Sequence, residues 1–228
     1  MEEDNSWAIE IPREGGAVHR NTRLMVDCIV SLRQAQASAK NSPPSHNTGK
    51  FDNLIVDMVD YLNGLLLTKS ELCLDPSLRY LFLLNNSYYV AQEVSEQSLS
   101  LDVDLGCGHH LKLTPECEKY IDSYLDVSWG HVLSCLPKSN FHGPIRRWIN
   151  TSTLAKFQSA FDKTYNAQKL WKVPDPRLRS LLQKFIAKRV ISGYRDYLKE
   201  HPELEKQVSG GSNSPEVMEK MLGELFEG

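Results

Sequence analysis

Apolar residues recur along this chain at intervals of three and four, the spacing that gathers them on one face of an α-helix. Between Phe51 and Thr68 the set is Leu54, Ile55, Met58, Leu62, Leu65 and Leu66. Upstream, Thr22 stands where it can cap a helix whose apolar face is Leu24, Cys28, Ile29 and Leu32. That helix must end by the polar, proline-bearing stretch 42–49. Downstream the pattern returns in four sets: Leu78, Leu81, Phe82, Asn85, Tyr88, Tyr89 and Gln92; Tyr120, Ile121, Tyr124, Trp129, Val132 and Leu136; Leu154, Phe157, Phe161, Tyr165, Gln168 and Trp171; and Val217, Met218, Met221, Leu222, Leu225 and Phe226. A further helix after Asp175 has Leu178, Leu182, Phe185 and Ile186 on its apolar side.

The helix starts are marked as clearly as the faces. Asp75-Pro76, Thr114-Pro115, Asp175-Pro176 and Ser214-Pro215 each pair an N-cap side chain with a proline at the first helical position. There the missing N–H costs nothing and the fixed φ suits the helix. Glu116 adds a negative charge near the positive end of its helix dipole. Residues 98–113 lack the period and contain Gly106 and Gly108, which predicts a loop. Alternating strand patterns are absent. The expectation is an all-α fold, an elongated stack of antiparallel helical bundles, divided into an N-terminal extension 1–14, a bundle 15–136, a linker 137–145 and a C-terminal bundle 146–228.

Composition leaves this picture intact. Hydrophobic residues make up 41% and charged residues 24% of 228, an ordinary globular balance. The best apolar run, Leu54 to Leu67, is interrupted by Asp57, Asp60 and Asn63 and is too short and polar to cross a bilayer. The opening Met1-Glu2-Glu3-Asp4 is acidic with no apolar segment behind it, so no export signal is expected. Five irregularly spaced cysteines then read as reduced thiols, and the expected compartment is the cytoplasm.

Charge does change the picture. The net charge is −3, yet residues 146–199 hold thirteen Lys and Arg against three Asp. In the helix after Asp175, at about 100° per residue, Arg177, Lys184, Lys188, Arg195 and Lys199 fall within an arc of about 60°. The preceding helix adds Lys156, Lys163 and Lys169. Such a stripe reads in two ways, as a solvated surface or as a face for a polyanion. Each basic side chain near an anionic leaflet contributes on the order of 1 kcal/mol, so five would give reversible attraction and not anchoring. The acidic segment after Glu200 could oppose it by folding back.

Catalytic and metal chemistry find little support. Cys107, His109, His110 and Cys117 crowd one region, but the spacing matches neither Cys-x2–4-Cys nor His-x3–5-His, and no metal site is expected. Gly106-Cys107-Gly108 lacks the rest of a dinucleotide fingerprint. Asp102 and Asp104 read as solvated loop carboxylates. No phosphate loop, zinc-protease helix or nucleophile elbow occurs, so no enzyme and no cofactor are expected. The aromatic residues of 154–171 match one buried face better than a base-stacking platform, and no recognition motif supports nucleic acid as a partner. Asn85 and Asn86, inside an apolar helix, call for buried hydrogen bonds, or alternatively an inter-helix contact of functional value.

Four separated blocks, in order, resemble the plant-type seventy-kilodalton subunit of the exocyst. Gly15-Gly16-Ala17-Val18-His19-Arg20-Asn21-Thr22-Arg23 is similar to that family's Gly-x-Val-His-Pro-Leu-Thr-Arg, with Arg20 and Asn21 in place of Pro and Leu. Leu81-Phe82-Leu83-Leu84-Asn85-Asn86 resembles its Leu-Phe-Leu-Met-Asn-Asn helix, and Leu154 to Trp171 its aromatic helix. The fourth block joins Trp171-Lys172-Val173-Pro174-Asp175-Pro176, the Tyr194-Arg195-x-Tyr197 helix, Ser214-Pro215-Glu216 and the final Leu225-Phe226-Glu227-Gly228. The resemblance runs from about Gly15 to Gly228 and covers only the C-terminal part of the family's length.

That resemblance implies helical bundles at one end of a rod, in a complex that tethers secretory vesicles to the plasma membrane. The implied partners are other exocyst subunits, with contacts weakened or lost without the family's N-terminal rod. An anionic phosphoinositide membrane is implied as well, with small GTPases or other regulatory proteins as further candidates. A peripheral location at the plasma membrane follows. Family members often carry Pro-Glu-Lys-Tyr-Ile-Lys-Tyr before the last helix, which contributes to phosphoinositide binding. This chain reads Pro202-Glu203-Leu204-Glu205-Lys206-Gln207-Val208 there, with Leu204 and Gln207 where the lysines would be. The candidate lipid-binding residues are therefore Arg177, Lys184, Lys188, Arg195 and Lys199, with Lys156, Lys163 and Lys169 as additional basic surface. The alternative is a protein-interaction scaffold or decoy without membrane binding.

Overall fold

The structure, a computed structural model, describes residues 2–40, 48–99, 113–136, 146–208 and 210–227. Among these residues the chain forms helices α1 (Glu2–Arg13), α2 (Arg20–Lys40), α3 (Thr48–Ser70), α4 (Pro76–Leu99), α5 (Pro115–Ser134), α6 (Arg146–Gln168), α7 (Pro176–Lys199), α8 (Pro202–Val208) and α9 (Pro215–Leu222). The one isolated β-bridge among them joins Lys172 to Glu227. The fold is all-α, as the periodicity predicts. The four proline-marked starts each open a helix, and their caps close on backbone donors. Asp75 Oδ1 accepts from the N–H groups of Ser77 and Leu78, and Thr114 Oγ1 from that of Cys117. Asp175 Oδ1 accepts from Arg177 and Leu178 at 2.8 and 2.9 Å, and Ser214 Oγ from Val217.

Two compact units divide at Tyr120, one spanning Met1–Tyr120 and the other Ile121–Gly228. The expected break at 137–145 lies outside the described residues. The observed boundary falls inside α5, whose buried Cys117 and Tyr120 belong to the first unit and whose Tyr124, Trp129 and Val132 belong to the second. A periodic pattern continues through such a boundary, so periodicity alone could not place it.

In the first unit α2, α3 and α4 pack against one another and α1 joins them on α3. The centre is α4: every residue from Leu81 to Tyr88 is buried, as expected of a helix apolar on most of its circumference. Residues 1–14, expected as an extension, are mostly helix. Trp7 and Ile11, one turn apart, are buried in the same unit. Thr22 does not cap α2. The cap side chain is that of His19, whose Nδ1 accepts from the Asn21 N–H at 3.2 Å, while Thr22 is buried and donates to Asn86. The buried face of α2 is accordingly Thr22, Val26, Ile29 and Gln36, and the predicted core residues Leu24 and Cys28 are exposed, Leu24 by 62%. In α3, Ile55, Leu62 and Leu66 are buried as expected, but Leu54 is 45% exposed.

Two blocks of the sequence meet here. Asn85 Nδ2 donates to Gly16 O at 2.8 Å, and Asn86 Oδ1 accepts from the His19 N–H at 3.0 Å and from Thr22 Oγ1 at 2.7 Å. Asn86 Nδ2 donates to Phe82 O at 2.7 Å. Gly16 has φ of 76°, and an added Cβ would meet Leu78 Cδ1 at 3.1 Å, so both the turn and the close approach to α4 require glycine. The His19 ring stacks on Trp7 at 3.7 Å and donates from Nε2 to Glu10, which Arg20 also approaches at 3.2 Å. Because Nδ1 is occupied as an acceptor, the imidazole is neutral. Burial pushes the His19 pKa below its ordinary value against the pull of Glu10.

The second unit is built on rings. Phe157, Phe161, Trp129 and Tyr194 form one aromatic cluster, with Phe157 and Tyr194 at 4.6 Å. Tyr194 donates to Asn213 O, and burial pushes its phenol up to about 12. Tyr124 donates to Gln168 inside the same core. The C-terminal residues return to this core. Phe226 is buried against Tyr124 with φ of 69°, and Gln183 donates to Gly223 O and Leu225 O. Three expected core residues differ most. Trp171 lies beyond the end of α6 and is half-buried, Phe185 is 37% exposed and Val217 is 40% exposed.

Candidate anion-binding face

α7 owes its placement to the turn before it. Asp175 caps it, Pro176 starts it, and Arg179 reaches back to donate to Val173 O at 3.0 Å, so the break after α6 is tied to the first turn. The buried side is Leu178, Leu182, Ile186, Val190, Ile191, Tyr194, Tyr197 and Leu198. Arg177, Lys184, Lys188, Arg195 and Lys199 lie on the opposite side, so the predicted stripe is present as a face of the helix.

Its members are not equivalent. Arg177 lies 3.4 Å from Asp175, and Lys199 lies 3.4 Å from Asp196. Arg195 is held by two carboxylates of α9, Glu216 at 3.5 Å and Glu219 at 2.9 Å. The acidic segment after Glu200 does fold back, and it lands on one residue of the stripe. A cleft of about 190 Å³ beside this contact is lined by Arg195 and Lys199 but also by Glu205 and Glu216, so its cations already face carboxylates. Lys184 and Lys188 are exposed and take part in no ion pair among the described residues. Phe185 lies beside them on one side of the stripe, and Arg189, paired with Asp126, lies one turn beyond that ring. The centre of the stripe is thus two ammonium groups, in no ion pair among the described residues, beside an exposed aromatic ring.

Lys156, Lys163 and Lys169 are exposed on and just after α6. Lys156 and Lys163 lie on the side of α6 turned away from Phe157 and Phe161, and Lys169 lies just past its end. Sequence reasoning missed Phe185 as a surface residue and missed Glu216 and Glu219 as counter-charges. The acidic i, i+3 pair of α9 was visible in the sequence, but its partner was not.

The segment before the last helix explains its own composition. It forms α8, with Leu204 and Val208 buried and Glu203, Glu205, Lys206 and Gln207 exposed. The leucine that stands where a lysine would be serves the core, and the exposed side is acidic on balance. Of the histidine and cysteine cluster, Cys107, His109 and His110 lie outside the described residues, as do Asp102 and Asp104. Cys117 is buried, which pushes its thiol up. Among the described residues no helix is long and apolar enough to cross a membrane.

Fold and face together define a helical-bundle protein that presents charged surfaces. A family model for the C-terminal region of Exo70, a member of the exocyst complex, matches residues 3–224, and the chain belongs to that family. It is 29% identical over 189 residues to Exocyst complex component EXO70C1 of Arabidopsis thaliana, covering 80% of this chain and 29% of that protein. It is 26% identical over 239 residues to EXO70A1 of the same plant (93% and 36% covered) and 27% identical over 226 residues to EXO70A3 (92% and 37%). The chain therefore spans about a third of the length of these curated relatives.

Proposed function

We propose that this chain is a non-enzymatic, exocyst-subunit-like module of vesicle tethering, cytoplasmic and peripheral at the plasma membrane, whose α7 face lies against anionic phosphoinositide. The observation that carries the reading is the pair of exposed lysines, Lys184 and Lys188, in no ion pair among the described residues and next to the exposed Phe185. Ammonium groups attract the headgroup phosphates, and a ring beside them can enter the boundary between headgroups and acyl chains. At about 1 kcal/mol per basic residue the attraction is reversible and salt-sensitive. Arg195 contributes less while Glu216 and Glu219 hold it, and α8 contributes little. Other exocyst subunits, small GTPases or other regulatory proteins would meet the remaining surfaces.

Co-sedimentation with neutral, phosphatidylserine-containing and phosphoinositide-containing vesicles tests this. Binding should rise along that series and fall as salt is added. Absence of binding to all three would replace this reading with the scaffold or decoy one.

A further inference from the structure

The first unit carries an apolar seam that its described residues leave uncovered. On α3, Leu54, Met58, Tyr61, Leu65 and Thr68 follow one another at alternating steps of four and three, the spacing of the a and d positions of a coiled coil. Ile55 and Leu62, the residues beside this seam on one side, are buried in the unit's own core. The seam itself faces outward: Leu54 is 45% and Tyr61 65% exposed, with Met58 and Leu65 half-buried. On its other side stand Asp57 and Gly64, with Asp60 further round. Both aspartates are exposed and unpaired among the described residues, and residues 51–68 contain no Lys or Arg.

Gly64 is the second, independent observation. It sits in the interior of a long helix, where glycine is less stable than alanine, and an added Cβ there would meet nothing within 4 Å. No packing among the described residues requires it. A bare backbone beside an apolar seam is what a second helix needs for close approach.

We infer that this flank of α3 is a docking seam for an amphipathic helix of a partner protein, apolar at heptad spacing and basic at the position that faces Asp57. Charge selects this occupant over a second copy of the same surface. Two α3 flanks brought together in register would oppose Asp57 and Asp60 with further aspartates, because the lysines of α3, Lys50 and Lys69, lie at its two ends, whereas a basic helix gives both aspartates partners. The inference is independent of the lipid reading, which concerns the other unit.

The test uses the full chain and a labelled synthetic helix of about four heptads, with Leu at a and d and Lys at e and g, beside a counterpart with Glu at e and g. Fluorescence anisotropy should show the lysine peptide binding at least about tenfold more tightly than the glutamate peptide. Tyr61→Glu should weaken the lysine peptide by about tenfold or more, and Asp57→Lys with Asp60→Lys should reverse the preference between peptides. Gly64→Gln should raise the melting temperature while weakening the peptide, a pair of opposite signs that simple unfolding cannot produce. Three results would overturn the inference: equal binding of both peptides, binding of neither, or lysine-peptide binding that Tyr61→Glu leaves unchanged. A dimer in sedimentation equilibrium that Tyr61→Glu dissolves would also overturn it, by assigning the seam to a second copy.

Discussion

The two units use opposite means to the same end. The first, Met1–Tyr120, has seventeen acidic and ten basic residues; the second, Ile121–Gly228, has twelve acidic and sixteen basic. The first fixes its helices with a buried polar clasp, in which the side chains of Asn85 and Asn86 satisfy the segment from Gly16 to Thr22. The second relies on packed rings and on its own last residues folded into the core. A hydrogen-bonded clasp specifies one register, because any slip leaves buried groups unpaired. An aromatic core is stabilised by area and is costly to cut at any ring. Surface charge follows the same division: aspartates in no ion pair among the described residues with an apolar seam on one unit, and lysines in the same state with an exposed phenylalanine on the other.

The largest effect comes from removing a ring from the second unit. Phe161→Ala should cost about 3–5 kcal/mol by chemical denaturation, since the residue is fully buried. Trp171→Ala should cost less than half of that, because Trp171 is only half-buried. Equal losses would mean that the aromatic core extends past the end of α6.

In the first unit the corresponding cut is Asn86→Ala. It strands the His19 N–H and the Thr22 hydroxyl without their acceptor, and about 2–3 kcal/mol should be lost. Hydrogen exchange should localise the loss to α1, α2 and α4. A loss well under 1 kcal/mol would show that the clasp is not what fixes this unit.

Removing the counter-charges of Arg195 sharpens the contrast from the other side. Glu216→Gln with Glu219→Gln should change stability by no more than about 0.5–1 kcal/mol, as for exposed pairs. The same change frees one guanidinium, and vesicle binding should strengthen by about 1 kcal/mol, roughly fivefold. Unchanged vesicle binding would place Arg195 outside the lipid face.

The smallest effect is a pH dependence confined to the first unit. Burial lowers the His19 pKa in the folded protein, so below about pH 6.5 the unfolded chain takes up a proton that the folded one resists. The stability this contributes is complete above that value and is lost as pH falls from there through the lowered pKa. Melts of the wild type should shift downward across that window, and those of His19→Asn, which keeps a capping oxygen, should shift less. Identical pH profiles would exclude His19 as the source.

The sequence made the helices legible because proline starts and capping side chains are local signals, and because one buried face per helix has a period. All-α architecture follows from those alone. What it could not reveal are the exceptions that only neighbours create. Leu24 and Leu54 carry the same periodic signal as Ile29 and Ile55, yet they lie at the flanks of their helices and remain exposed. His19 in place of Thr22 as the cap of α2, and the turn of α8 that buries Leu204, depend on what α4 and α7 leave open. The basic stripe was legible as a face, since an arc on a helix is a local property. Its inequality was not, because the two carboxylates on Arg195 come from residues more than twenty positions away.

On the proposed reading Lys184 and Lys188, beside Phe185, and not the positive charge of the second unit as a whole, meet the membrane. Two charge reversals of equal size decide it. Lys184→Glu with Lys188→Glu on α7 and Lys156→Glu with Lys163→Glu on α6 each change the charge by four units on exposed side chains. In titrations with phosphoinositide vesicles, and with thermal melts confirming that both variants remain folded, the α7 pair should lose about 2 kcal/mol or more, roughly thirtyfold. The α6 pair should lose no more than about threefold. Equal losses from the two variants, or an α7 variant that binds like the wild type, would contradict the account.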